Sequence, residues 1–180
     1  MLTCMSWRLD PSKSAVAIID VQEKLLPAIA GGDHVAAKIR QIAQIAALFD
    51  MPIFVTEQVP DKLGPTVPGV RSAVPDCAPI PKSTFSAAGA LPTSMPKCVV
   101  VAGIETHVCV RQTVYDLRMR EHVVYVLADA VGSRNPADHE AALAELRSDK
   151  VLVTSVEAVA WEMLGSSDHK LFRAVLEILK

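Results

Sequence analysis

Short apolar runs rich in β-branched residues alternate along this chain with segments whose apolar residues recur at helical spacing. A run of about four to eight such residues is typical of a strand buried on both faces of a sheet. Strands that alternate with helices predict right-handed βαβ crossovers, with helices on both faces of a parallel sheet. The runs are AVAII at 15–19, IFVT at 53–56, VVVA at 99–102, HVVYVL at 122–127 and VLV at 151–153.

Composition supports an α/β fold and sets limits on partners. Hydrophobic residues make up 51% of the 180 residues, but aromatics only 4%, which suits a helix-covered parallel sheet better than an aromatic-rich sandwich. The formal net charge is −2 and no basic block is present, so we expect no nucleic-acid partner. The length fits one domain spanning residues 1–180.

The cysteines and the N-terminus indicate a reducing compartment. Cys4, Cys77, Cys98 and Cys109 form no CxxC pair, so free thiols are the simplest interpretation. No apolar run approaches the length of a membrane span, and the first residues lack the apolar core of a secretory signal. We therefore expect a cytoplasmic protein without membrane contact.

The segment from Lys97 to Arg120 predicts a strand, a tight turn and a helix. Gly103 interrupts the apolar run, and Thr106 stands where an N-cap belongs. Cys109 then falls in the first helical turn, where unsatisfied N–H groups and the helix dipole lower the pKa of a thiol toward the reactive thiolate. The alternative is that Cys109 is merely a small buried residue.

Asp20 and Lys82 are predicted to share the edge of the sheet with Cys109. Asp20 closes the first strand, at the edge where open α/β sheets bind ligands, although it can equally cap a turn. Gln22 reaches the same crevice or faces solvent. Lys82 follows a proline-rich loop at 59–81, and long ordered loops of this kind often shape or cover a binding site. The alternative is that Lys82 is a surface charge, as a lone lysine in a loop usually is.

Capping residues predict where the helices begin. Asp33 is expected to cap the first long helix, and Asn135 with Pro136 to start a later one. Thr154 with Glu157 forms a capping-box pattern, and a last helix is expected from about Asp168.

Three motifs make the chain resemble the isochorismatase-like cysteine hydrolase family. They are AVAIIDVQ around Asp20, PKSTFSA around Lys82 and VVVAGIETHVCV around Cys109, in an order and spacing that extend the resemblance from about Ala15 to Trp161. The resemblance implies a three-layer α/β/α, Rossmann-like fold with a six-stranded parallel sheet.

The same resemblance implies a catalytic triad of Asp20, Lys82 and Cys109. It also implies a cis peptide bond between Ile104 and Glu105, which would aim the amides of Glu105 and Cys109 at an oxyanion. Cys109 would attack a carbonyl carbon while Asp20 takes the thiol proton and passes it to a leaving amine, and water would cleave the thioester. A small amide-type molecule is the expected substrate.

Departures from the family pattern narrow this expectation. Nicotinamidases carry an Asp–His–His metal site after the second strand, but FVTEQVPDKLG contains no histidine, so we expect no metal and no cofactor. The TEQ…LG stretch resembles the branch of isochorismatase domain-containing proteins. The candidate substrate-binding residues are Gln22, Glu57, Gln58, Leu63, Phe85 and Thr106.

Two other functions compete with a cysteine hydrolase. A few relatives of the family are described as mitochondrion-associated ribonucleases, which keeps a ribonuclease-like role and mitochondrial association as alternatives. The chain has neither a basic groove nor a histidine pair to support RNA cleavage. A non-catalytic interaction protein is the third hypothesis. By resemblance, the chain is expected to form a homo-oligomer, a dimer or a tetramer.

Overall fold

The computed structural model describes residues 8–180, so Cys4 and the N-terminal segment considered above lie outside the described residues. Residues 8–180 contain six strands and seven α-helices. The strands are β1 (Ser14–Ile19), β2 (Ile53–Gln58), β3 (Ile80–Lys82), β4 (Cys98–Ile104), β5 (Val123–Gly132) and β6 (Leu152–Thr154). The helices are α1 (Gly32–Leu48), α2 (Pro60–Leu63), α3 (Pro68–Arg71), α4 (Arg111–Met119), α5 (Pro136–Ser148), α6 (Val156–Leu164) and α7 (Phe172–Leu179).

The strands form one parallel sheet in the order β3-β2-β1-β4-β5-β6, which confirms the predicted six-stranded architecture. The chain builds outward from β1 to β3, returns to place β4 on the other side of β1, and then builds outward again. The topological switch point therefore lies between β1 and β4. In open α/β sheets, ligands bind at the carboxyl ends of the strands at this point.

Apolar side chains from alternate strand positions form a core on each face of the sheet. Val16 and Ile18 of β1 pack on the face covered by α1, α6 and α7, whereas Ala17 and Ile19 pack on the face covered by α4 and α5. Period-two alternation in a strand covered on both sides produces this division. The result is the expected three-layer α/β/α arrangement.

Several boundaries differ from the sequence-based expectations for local reasons. Asn135 caps α5 as predicted, because its side chain accepts a hydrogen bond from the backbone of Ala137. The prediction that Thr154 caps α6 was wrong by one residue, since Ser155 accepts the bond from Ala158.

The first and last long helices also start at other residues than predicted. Gly31, in a left-handed conformation, precedes α1, so Asp33 lies inside the first turn and does not cap it. The final helix begins at Phe172 and not near Asp168. No helix among residues 8–180 has both the length and the apolar character needed to cross a bilayer.

Candidate active site

Asp20 and Lys82 form a buried ion pair at the carboxyl edge of the sheet. Asp20 directly follows β1, and its Oδ2 lies 2.6 Å from Lys82 Nζ. The other carboxylate oxygen, Oδ1, accepts a hydrogen bond of 2.7 Å from the hydroxyl of Thr56 on β2. The Asp20 and Lys82 side chains are 0% and 2% exposed, so the two charges face each other with little screening by water.

Lys82 is the last residue of β3, which corrects the expectation that it belongs to a loop. Short parallel pairing with β2 places Lys82 beside Gln58. The ammonium donates to Gln58 Oε1 at 2.6 Å and to the carbonyl oxygens of Thr84 and Phe85, each at 3.0 Å. Sheet pairing and these acceptors hold its charge against Asp20.

Cys109 lies in a single π-helical turn, Thr106–Val110, between β4 and α4. The side chain is buried, and Asp20 and Lys82 lie close enough for their charges to act on its thiol. Burial, followed by the negative charge of Asp20, raises the pKa of the thiol to about 12, although the positive charge of Lys82 and the backbone of Glu105 act in the opposite direction. The expectation of a lowered pKa was therefore wrong for the resting site, because desolvation outweighs the effect of a helix start.

The backbone that leads through the end of β4 into the turn of Cys109 has two unusual features. The peptide bond between Ile104 and Glu105 is cis. Gly103 belongs to β4 and does not end it; its φ is +131°, and a Cβ there would lie 2.6 Å from the backbone N of Ile19. Only glycine lets β4 approach β1 this closely just before the two strands deliver Cys109 and Asp20.

Glu105, which precedes this turn, and Thr106 and His107 within it contact residues that lie just before α5 or in α5 itself. Thr106 therefore does not serve as the predicted N-cap, since its hydroxyl is engaged elsewhere. Sequence reasoning had assigned Glu105 to the oxyanion hole and Thr106 to substrate binding, but it did not predict these pairings, because nothing local links positions about 30 apart. The contacts are Arg134 Nε to Glu105 Oε2 at 3.1 Å, Thr106 Oγ1 to His139 Nδ1 at 2.9 Å, and His107 Nδ1 to Ser133 Oγ at 2.9 Å.

Two of the candidate substrate-binding residues use their polar atoms within the protein. Gln22 is buried; its Oε1 accepts from the backbone N of Gln58, and its Nε2 donates to the carbonyl oxygens of Gln58 and Gly64. Glu57 accepts from the amide and the hydroxyl of Thr66, each at 2.7 Å. Both side chains therefore brace the 59–66 segment.

The remaining candidates differ in exposure. Leu63 ends α2 and is half-buried, whereas the side chain of Phe85 is 55% exposed. Phe85 reaches the site through its carbonyl oxygen, which accepts a hydrogen bond from Lys82. Within residues 8–180, no cluster of three or more His, Cys, Asp or Glu side chains is arranged to hold a metal ion.

Comparison with known proteins identifies the family. The Isochorismatase domain matches residues 14–158 of this chain. The chain belongs to the isochorismatase family. This isochorismatase domain is 32% identical to mouse isochorismatase domain-containing protein 2A, over 96% of this chain and 85% of that protein. Membership supports a hydrolase in general terms.

Solved structures share the same fold as this isochorismatase domain. A structure described as the MAR1 ribonuclease from Caenorhabditis elegans has a TM-score of 0.91 and 32% identity, covering 96% of this chain and 92% of that one. YcaC from Pseudomonas aeruginosa, solved with hexane-2,5-diol and covalent acrylamide, has a TM-score of 0.87 and 26% identity, covering 98% and 93%. YcaC from Escherichia coli, described as an octameric hydrolase of unknown specificity, has a TM-score of 0.87 and 24% identity, covering 98% and 91%.

Proposed function

We propose that this protein is a cysteine hydrolase that cleaves the C–N bond of a small amide through a thioester on Cys109. The observation that carries the proposal is the meeting of three side chains from distant strands at one buried point. Asp20 pairs with Lys82 at 2.6 Å, and both charges act on the pKa of the buried Cys109 thiol. This arrangement sits at the switch point between β1 and β4, where the fold binds ligands.

Acylation begins with proton transfer, because the resting thiol is neutral. As the sulfur of Cys109 attacks the carbonyl carbon, Asp20 accepts the thiol proton. The positive charge of Lys82 stabilises the sulfur as it becomes negative. The carbonyl oxygen becomes an oxyanion, which the backbone amides of Glu105 and Cys109 stabilise.

Collapse of the tetrahedral intermediate breaks the C–N bond, and Asp20 returns its proton to the leaving nitrogen. Ammonia or an amine departs, and the acyl group remains on Cys109 as a thioester. Asp20 then removes a proton from water as the water attacks the thioester carbon. The acid product leaves and the thiol regains its proton.

The proposal draws support from YcaC of P. aeruginosa, whose structure is described with covalent acrylamide. Acrylamide is an electrophile that reacts with nucleophilic thiols. In the proposed reaction, the side chains of Asp20, Lys82 and Cys109 supply the acid–base chemistry.

A panel of small primary amides tests the proposal through ammonia release. We expect one or more amides to be hydrolysed by the wild type, and the rate to fall by at least about 10³-fold in Cys109→Ser and Asp20→Asn. Cys98→Ser is the matched control, because Cys98 is a half-buried thiol at the start of β4, away from the switch-point edge. Mass spectrometry of acid-quenched wild type is expected to show an acyl adduct on Cys109.

Ammonia release that persists in Cys109→Ser contradicts the proposal. A ribonuclease remains the second candidate because the C. elegans structure at 32% identity is described as one. RNA cleavage that co-purifies with the protein and survives Cys109→Ser favours that candidate. A protein whose Cys109 is modified by acrylamide but which hydrolyses no amide in the panel favours a non-catalytic interaction role.

We also propose that the protein self-associates. The E. coli YcaC structure is described as octameric, and we expect a dimer, a tetramer or a larger ring here. Sedimentation velocity measures the assembly directly, and a monomer at micromolar concentration contradicts it.

A further inference from the structure

Gln58 has contacts that a residue lining a substrate pocket does not need. We infer that Gln58 is a positioning residue that holds the Lys82 ammonium in register with Asp20 and Cys109; this rests on the proposed function. Gln58 ends β2, and its Oε1 accepts a hydrogen bond of 2.6 Å from Lys82 Nζ. That distance equals the separation between Lys82 Nζ and Asp20 Oδ2.

The amide of Gln58 has only one orientation that satisfies its neighbours. Its Nε2 donates to the carbonyl oxygen of Ser83 at 2.8 Å, so its oxygen must face Lys82. The same contact fixes the start of the 83–85 segment. Two carbonyl oxygens of that segment, from Thr84 and Phe85, are the other neutral acceptors of the Lys82 ammonium. Gln58 therefore places Lys82 both directly and through the segment that surrounds it.

Gln58 is itself fixed by Gln22. The amide oxygen of Gln22 accepts from the backbone N of Gln58 at 2.8 Å, and the amide nitrogen donates to the carbonyl oxygen of Gln58 at 3.1 Å. Because the buried side chain of Gln22 is hydrogen-bonded to both backbone groups of Gln58, Gln58 has little freedom to rotate or shift. The order of contacts runs from Gln22 through Gln58 to Lys82, and from Lys82 to Asp20.

Neutrality is the second property that the site requires of Gln58. Among residues 8–180, Lys82 is the cation and Asp20 the anion whose charges act on the Cys109 thiol. A neutral acceptor orients the ammonium without competing with Asp20 for its charge. A carboxylate at position 58 would attract the ammonium and leave excess negative charge near the sulfur.

The rate at which acrylamide modifies Cys109 measures this positioning without a known substrate. The adduct is followed by peptide mass spectrometry, with Cys77 and Cys98 in the same molecule as internal references. In Gln58→Met, which keeps the side-chain volume but accepts no comparable hydrogen bond, we expect modification of Cys109 to slow by about tenfold. In Gln58→Glu we expect modification of Cys109 to slow by about tenfold or more at every pH at which the protein stays folded, because the added negative charge disfavours the thiolate.

Gln41→Glu is the matched control, because Gln41 lies on α1 and donates to the carbonyl oxygen of Ile178, away from the site. We expect its rate and pH profile to stay within about twofold of the wild type. The methionine variant keeps the inference falsifiable if the glutamate variant does not fold.

Two results overturn the inference in distinguishable ways. Folded Gln58 variants that modify Cys109 with the wild-type rate and pH profile overturn the role of Gln58 alone. A wild-type protein in which Cys109 reacts no faster than Cys77 and Cys98 overturns the proposed function and the inference with it.

Discussion

Asp20 Oδ2 and Lys82 Nζ lie 2.6 Å apart with both side chains almost fully excluded from solvent. Taking two opposite charges out of water is costly unless each keeps its partner and its hydrogen bonds. Here Thr56 donates to the carboxylate, while Gln58 and two carbonyl oxygens accept from the ammonium. These hydrogen bonds therefore hold the carboxylate and the ammonium at the position where the proposed reaction uses their charges.

Removing one member of this pair is expected to destabilise the fold strongly. Lys82→Met leaves the Asp20 carboxylate buried without its partner, so we expect the free energy of unfolding to fall by about 3–5 kcal/mol. The double variant Asp20→Asn/Lys82→Met removes both charges and is expected to recover most of that loss. Urea denaturation of the single and double variants measures the coupling, and additive losses would contradict it.

Gly103→Ala is expected to damage both stability and the site. The new Cβ would meet the backbone of Ile19 at a φ of +131°, so we expect a loss of about 3 kcal/mol or more. Gly89→Ala is the control, because a Cβ at Gly89 meets nothing within 4 Å. Urea denaturation should show a change for the control of less than about 1 kcal/mol, and equal losses for the two variants would rule out the close approach as the cause.

The raised pKa of Cys109 predicts a loss of stability at high pH. The folded value is about 12, whereas an unperturbed thiol titrates near 9.0. The unfolded chain therefore releases this proton first, and the free energy of unfolding falls as pH rises above 9. Between pH 8 and 10.5 the wild type should lose about 2 kcal/mol more than Cys109→Ala.

Urea unfolding at a series of pH values measures that difference. Both proteins retain Tyr125, whose pKa burial raises to about 12, and the half-buried thiols of Cys77 and Cys98. Because both proteins retain these groups, the contributions of the groups to the pH dependence of stability cancel in the comparison. Parallel curves for wild type and Cys109→Ala would show that the thiol titrates alike in the folded and unfolded states.

Arg134→Gln tests the ion pair that links Glu105, just before the turn of Cys109, to the segment that precedes α5. Arg134 is largely exposed, so loss of its ion pair with Glu105 should change the free energy of unfolding by less than about 1 kcal/mol. The backbone amide of Glu105 is a proposed oxyanion donor, so we expect kcat on a responsive amide to fall by about tenfold with KM unchanged. Arg40→Gln, an exposed change on α1, is the control. An unchanged kcat in Arg134→Gln would mean that the ion pair does not orient this amide.

Much of the fold follows from patterns that are local in the chain. The runs at Ala15–Ile19 and Val99–Ala102 predict buried strands because β-branched residues fit a sheet covered on both faces. Asn135 with Pro136 predicts a helix start because both act on adjacent backbone groups. Lys82 was harder to place, since β3 has only three residues and its pairing partner Gln58 is 24 positions away.

By itself, the sequence determined the layered parallel fold and the three residue types proposed for the chemistry, because periodicity and strand ends are encoded within a few residues. Only the tertiary structure decided the protonation of Cys109, whose thiol is neutral because burial and Asp20 outweigh Lys82. It also decided the roles of Gln22 and Gln58, which brace the protein where the sequence suggested a substrate contact. Desolvation and long-range hydrogen bonds depend on which distant segments meet, and no local pattern contains that information.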